Sequence, residues 1–384
     1  MRNFLKGLLN DFLYIYTPFA KKTADYAFIV HPRDYHDITN NLPFLKKVPQ
    51  RAVIKILRFF WPFVFSKIKG LKSMKDGREL TGIVIGVPIL AHELMERKTF
   101  AKRKIAQAVK LAEKRGARII GLGALTGSIT GGGDDLPYKH RAHVTAGRAY
   151  TTHTVYEYIQ DAIRTFGLIK EDTVIAIVGA AGGVGSAVAK MLAKEPFEKL
   201  ILIDLERKTD KLRTLLKTIA SSHIEITISS HIREVKEADI IVAATNAPEA
   251  VIEAEDPKPG AIIIDDAQPS DISPEVTSTR DDIIIIEAGV IFAKGIHFGK
   301  ANFRLSNEME TYCCLGEVMA LAAAPSEHPR YRIGDITPDV IETIAALGKQ
   351  LGFSLAQYQS FGRIVPRERI NNIKNIIASR SRIL

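Results

Sequence analysis

The stretch VIAIVGAAGGVGSAVAKMLA, residues 174–193, constrains the fold more than any other part of this chain. An apolar run from Val174 to Val178 meets a turn with glycines at 179, 182, 183 and 185, and an alanine-rich helical pattern follows. Small residues at such a turn let the backbone approach a pyrophosphate, and the helix start offers unpaired N–H groups and the positive end of a dipole. The next apolar run, KLILID, ends at Asp204, about twenty residues beyond Gly185, where an acidic side chain meets the ribose hydroxyls of a dinucleotide. That carboxylate leans toward NADH, whereas Arg207 and Lys208 just after it could receive the 2′-phosphate of NADPH.

Further apolar runs at 224–229, 239–246, 261–267 and 282–289 complete a Rossmann-type parallel sheet, assigned to residues 171–295. Residues at the carboxyl ends of such strands face the cofactor cleft, which selects Thr245, Asn246, Asp265, Asp266 and Gly289. The two carboxylates are equally read as turn caps. Upstream, runs at 26–30, 82–87, 117–123 and 142–147 read as buried strands, and His92 to Arg115 reads as one amphipathic helix with Leu94, Ala101, Ile105, Ala108 and Ala112 on its apolar face. These predict an α/β substrate domain over 76–170, with a flexible glycine-rich loop at 126–137. Residues 296–384 are expected to form a C-terminal helical region.

The net charge of +10 is concentrated at one end. Residues 1–75 hold fourteen Lys/Arg against four Asp, and the other 309 residues are balanced. The same segment holds fourteen of the 29 aromatic residues. In RAVIKILRFFWPFVFSKIKGLK, charges interrupt the apolar run too soon for a bilayer-spanning helix. Asp11 and the lack of a small-residue cleavage site argue against a signal peptide. A membrane surface suits this pattern, with aromatics down and cations up, and the alternative is a core with a solvated basic face. Nucleic acid is not expected, because no binding motif accompanies the charge. No spacing of His, Cys and carboxylates reads as a metal site.

Only two cysteines occur, adjacent at 313 and 314. A bridge between neighbours would be strained, so a reducing compartment is expected, the cytoplasm by default; peripheral attachment to the membrane follows only if the basic, aromatic residues 1–75 meet lipid. Asn307 and Glu310 have the spacing of a capping box, which predicts a helix beginning at Asn307. On it Cys314, Glu317 and Leu321 share a face. A thiolate near a nicotinamide can hold an acyl group as a thioester, and both cysteines can equally be small core residues.

The pieces RKIAQAVKLAEKRGARIIGLGA, the THT around His153, VGAAGGVGSAV, EAGVI, YCCLGEVMA and LGKQLGFSL resemble the long-chain acyl-[acyl-carrier-protein] reductases of cyanobacteria, from about Gly82 to Phe361. The resemblance implies reduction of fatty acyl thioesters, carried on acyl carrier protein or CoA, to fatty aldehydes. It places the acyl-accepting cysteine at Cys314, with Glu317 and His153 as candidates for proton handling or thiolate tuning. It also implies NADPH, although Asp204 stands where that family has a basic residue, and an oily aldehyde product calls for a partner enzyme that consumes it. Two other readings stay open: a dehydrogenase of the shikimate or methylene-tetrahydrofolate type, and a non-catalytic, cofactor-sensing membrane scaffold.

Overall fold

The computed structural model describes residues 2–220, 224–247, 249–324 and 336–380. The chain divides into two compact units, one of Met1–Gly147, Phe292–Asp335 and Thr343–Ser354, the other of Arg148–Ile291, Ile336–Glu342 and Leu355–Leu384.

The first unit is built on five strands, β1 (Tyr26–Val30), β2 (Phe63–Ile68), β3 (Gly82–Gly86), β4 (Ile119–Leu122) and β5 (His143–Thr145), in the order β2-β3-β1-β4-β5. All pairings are parallel except that of β2, which runs antiparallel along β3 at the edge. Strands β1, β3 and β4 are almost wholly buried, as an apolar parallel sheet covered on both faces requires. Ala101, Ile105, Ala108 and Ala112 of the helix Lys98–Lys114 pack with Ile29, Ile83, Ile85 and Ile120. Gly121 of β4 admits another helix, Cys313–Ala323, since a Cβ there would lie 2.3 Å from Val318.

Four local expectations are corrected here. The helix expected from His92 to Arg115 is two, Ala91–Glu96 and Lys98–Lys114, parted at Arg97, and the break lets the first bury Glu93 against Arg58 while the second lies on the sheet. The glycine-rich link at 126–137 is no loose loop, because Leu125–Ile129 is helical and the Thr126 and Thr130 hydroxyls donate to the carbonyls of Gly123 and Thr126 at 2.6 and 2.7 Å. Residues 1–75 are not a separate segment, since β1 is the middle strand of the sheet. Likewise the cysteine helix belongs to the first unit, not to a C-terminal region.

The second unit carries six parallel strands, β6 (Val174–Val178), β7 (Lys199–Ile203), β8 (Glu225–Ser229), β9 (Ile240–Ala243), β10 (Ile262–Asp265) and β11 (Ile284–Glu287), in the order β11-β10-β9-β6-β7-β8. This is the doubly wound Rossmann order, whose direction reverses between β6 and β9 and leaves a crevice at their carboxyl ends. The helices Arg148–Phe166, Gly183–Leu192 and Arg367–Arg380 share one apolar core with this sheet.

Candidate active site

In the second unit the crevice is walled by backbone. Gly179 has φ +86°, and a Cβ there would lie 2.6 Å from the Ala244 carbonyl oxygen, so only glycine closes this turn without strain. A Cβ on Gly185 would meet the Gly179 oxygen at 2.4 Å. The helix Gly183–Leu192 starts directly after Gly182, which gives the turn the free N–H groups and positive dipole end that a pyrophosphate needs. The residues present therefore fit a dinucleotide.

Asp204, just past β7, accepts hydrogen bonds from the N–H groups of Ala181 (2.9 Å) and Leu205 (2.8 Å) and pairs with Lys208 at 2.9 Å. The same carboxylate thus braces the glycine turn, while Arg207 is exposed beside it. Past β9, Thr245 is held through its N–H and its hydroxyl by Asp271. Asn246 is exposed next to it. Past β11, a Cβ on Gly289 would lie 3.1 Å from Asp266. Burial holds the Asp265 carboxyl up at about 7, opposed by the Ser270 hydroxyl that donates to it, and burial with the charges of Asp265 and Asp271 pushes Asp266 well above the carboxylate range. A carboxyl kept neutral in this way can donate a hydrogen bond.

The thiol site lies wholly within the first unit. Tyr312 caps the helix Cys313–Ala323, so both cysteines occupy its first turn, where the dipole favours a thiolate. Cys313 is 1% exposed, whereas Cys314 is only partly covered. Gly147 packs against the backbone of Cys314: its φ is +71°, and a Cβ on it would fall 2.2 Å from Cys314 Cα. Thr145 ties the two together, its hydroxyl donating to Glu317 and accepting the Gly147 N–H at 3.0 Å. Glu317 is fully buried on the helix face it shares with Cys314.

Around the helix start, Arg33 donates to the Tyr312 hydroxyl at 3.0 Å and pairs with Asp37 at 2.8 Å. His31, just past β1, is buried, with Nδ1 facing the Pro32 carbonyl at 3.0 Å and Nε2 without a partner among the described residues. Burial lowers it to about 4, so the ring is neutral at physiological pH.

Of the residues expected from sequence, Gly182 and Gly185 pack on Gly179, Asp204 bonds the same turn through Ala181, Gly289 lies by Asp266, and Cys314 and Glu317 stand on one helix. His153 is in the second unit, near Tyr150 at 5.9 Å between ring centroids, and burial lowers its pKa. The expected helix start at Asn307 is wrong. The Asn307 N–H does donate to Glu310 (3.2 Å), but the bond closes a turn before the short strand Glu310–Tyr312, and the helix begins at Cys313.

Sequence reasoning passed over His31, Arg33, Thr145, Arg148 and Asp271. Arg148 lies over the glycine turn, since a Cβ on Gly183 would be 2.9 Å from its Cδ. Its place at the start of the helix Arg148–Phe166, next to Gly147 in sequence and against the glycine turn in space, is the signal that marks it. TAGRAY, in which Gly147 and Arg148 adjoin, was the stretch in which to look.

Residues 161–286 match the family model of shikimate / quinate 5-dehydrogenase. Over 318 residues, 82% of its length, the chain is 26% identical to the aminotransferase PigE of a Serratia strain, and it spans only 36% of that protein. It is also 26% identical over 268 residues, 66% of this chain and 76% of the relative, to the long-chain acyl-[acyl-carrier-protein] reductase of Synechococcus elongatus. Among solved structures, L-tryptophan dehydrogenase from Nostoc punctiforme aligns over 92% of this chain and 90% of its own, with TM-score 0.36 and 12% identity. The dehydrogenase-family match falls on the glycine cradle, and it supports a Rossmann-type unit built to bind NAD(P).

Proposed function

We propose that this protein reduces long-chain acyl thioesters, carried on acyl carrier protein or CoA, to aldehydes through an acyl group held on Cys314. The observation that carries the reading is the contrast between the two thiols: one is sealed in the core, and the other is open at a helix start and braced by Gly147, Thr145 and Glu317. The match to the Synechococcus reductase supports it.

In this reading the Cys314 thiolate, favoured by the helix dipole, adds to the acyl carbonyl carbon. The carbon–sulfur bond to the carrier then breaks, and the carrier thiolate leaves and takes up a proton. Gly179, Gly182, Gly183 and Gly185 would hold the pyrophosphate of a reduced dinucleotide, which when bound would supply the hydride that the acyl carbon needs. Once that carbon is reduced, its oxygen is protonated to a hemithioacetal. Loss of the hydroxyl proton and cleavage of the bond to Cys314 release the aldehyde and restore the thiolate. His153 is retained as a candidate proton carrier, and neutral His31, with a free Nε2, is a second. Asp204 leans the cofactor choice toward NADH, with Arg207 and Lys208 at hand for a 2′-phosphate.

Exposure to an acyl thioester without reduced cofactor should add one acyl mass to the intact protein, and Cys314→Ser should abolish the adduct while Cys313→Ser keeps it. An adduct that follows Cys313 would overturn the assignment. The family match over 161–286, which stops short of the cysteines, favours a second reading, a hydroxy-acid dehydrogenase of the shikimate type. Oxidation of such a substrate that survives Cys314→Ser would select it.

A further inference from the structure

The helix Arg2–Tyr16 has two apolar faces. One is buried in the first unit through Leu8, Tyr14 and Ile15, and Asp11 lies in that face as a buried ion pair with Arg115. The other is the row Leu9, Phe12, Leu13 and Tyr16, spaced i, i+3, i+4, i+7, and all four are exposed, Leu9 by 62%. On an ordinary surface helix those positions are polar.

The row continues onto a neighbouring turn. The Phe12 ring stands edge-on to Trp61 at 4.8 Å, Trp61 lies 5.8 Å from Phe60, and Phe59 is 85% exposed. This turn is anchored: the Trp61 indole N–H donates to the Leu8 carbonyl at 2.8 Å, Lys104 donates to the Phe60 carbonyl, and the Val64 N–H donates to Asp11 at 2.9 Å. Bulky apolar groups are thus held outward by a stapled frame.

Along the chain, the segments that carry them are almost wholly basic, and the carboxylates that meet them, Asp11 and Glu93, are buried in ion pairs with Arg115 and Arg58. Between Asp37 and Asp76 there is no carboxylate, and nine Lys/Arg fall in that interval. Within residues 1–24 the single acid is Asp11, already paired in the core. Lys6, Lys21 and Lys55 are exposed. Like charge disfavours a second copy as the occupant. No helix among the described residues is long and apolar enough to cross a membrane, so the attachment would be peripheral.

We propose that the first unit docks on an anionic lipid surface, with Leu9, Phe12, Leu13, Tyr16 and Phe59 entering the headgroup boundary and the surrounding lysines meeting lipid phosphates. Aromatic side chains rimmed by cations suit that boundary, where burial of apolar area and attraction to anionic lipid add together. The proposal does not depend on the reaction assigned above.

The test is co-sedimentation of the full chain with phosphatidylcholine vesicles, with and without phosphatidylglycerol. Binding should require the anionic lipid, weaken with salt, and fall about tenfold or more in Phe12→Ser/Leu13→Ser, since apolar burial drives insertion. Phe59→Ser, at a side chain too exposed to matter for folding, should weaken binding by itself. No binding by the intact chain, or binding that neither variant alters, overturns the proposal. Purified acyl carrier protein is the control for an acidic protein partner: if it is bound through the same residues while vesicles are not, the surface belongs to a protein.

Discussion

The dinucleotide cradle and the thiol site are built in opposite ways. The cradle's turn, its helix and Asp204 come from one continuous stretch, strand to turn to helix to strand, and its closest contact, Gly185 on Gly179, is local, with Ala244 and Arg148 added from outside. The thiol site is drawn from pieces far apart in sequence: Thr145 and Gly147 meet Glu317 and Cys314, while Arg33 meets Tyr312. A site made by local backbone geometry announces itself in sequence. A site made by long-range packing shows only its reactive atom.

The sharpest way to break that contrast is at the cysteines. If Cys314 alone is the reactive atom, Cys314→Ser should lower aldehyde formation at least about 1,000-fold, because a serine hydroxyl is a far weaker nucleophile at neutral pH. Cys313→Ser should keep turnover and lower stability by roughly 1 kcal/mol, since a buried thiol is replaced by a hydroxyl seeking a partner. Steady-state rates and chemical denaturation check both. Turnover that survives the first variant leaves the thiol site without a function.

Two glycines test the division of labour. Gly147→Ala and Gly179→Ala each place a methyl where φ is positive and backbone lies within 3 Å, at a cost of about 1–3 kcal/mol. The first should slow acyl-adduct formation about tenfold or more and leave the dissociation constant for NADH unchanged. The second should weaken NADH binding about tenfold and leave acylation intact. If each variant harms both readouts equally, the two sites are one cooperative structure and the contrast fails.

Legibility follows the same line. The strands of the second unit were found to within a few residues, because apolar runs buried on both faces and glycine turns are short-range signals. The expected helix start at Asn307 failed although its hydrogen bond to Glu310 forms, since that bond closes a turn as readily as a first helical turn. The exposed row on the helix Arg2–Tyr16 was readable as an apolar pattern. That Asp11 would be buried against Arg115 was not, because the partner is a hundred residues away.

Cofactor choice sharpens the reading of the cradle. Asp204→Ala removes the group that disfavours a 2′-phosphate and frees Lys208, so the ratio of NADH to NADPH efficiency should move toward NADPH by about tenfold. Arg148→Ala should weaken both cofactors about equally, by a few-fold to tenfold, if its guanidinium meets the shared pyrophosphate. A change confined to one cofactor would place Arg148 at the adenosine end instead.

The smallest effect lies within the region that sequence reads best, where it exposes what local pattern leaves out. Asp265 ends β10 as an ordinary strand-end carboxylate, yet burial holds it up at about 7 in the fold, against an ordinary value of 3.8. The raised value means that the folded protein keeps a proton which the unfolded chain gives up from about pH 4. Its contribution to stability is therefore complete below about pH 4 and is lost as pH rises through about 7. Asp265→Asn cannot ionise and keeps an oxygen to accept from the Ser270 hydroxyl, so it should remove that slope without closing the pocket. Urea midpoints measured from pH 4 to 8 should decline in the native protein relative to the variant across that window. Parallel curves would mean that Asp265 is ionised in the fold, and the crevice would then hold a charge that must be offset before a nicotinamide can enter.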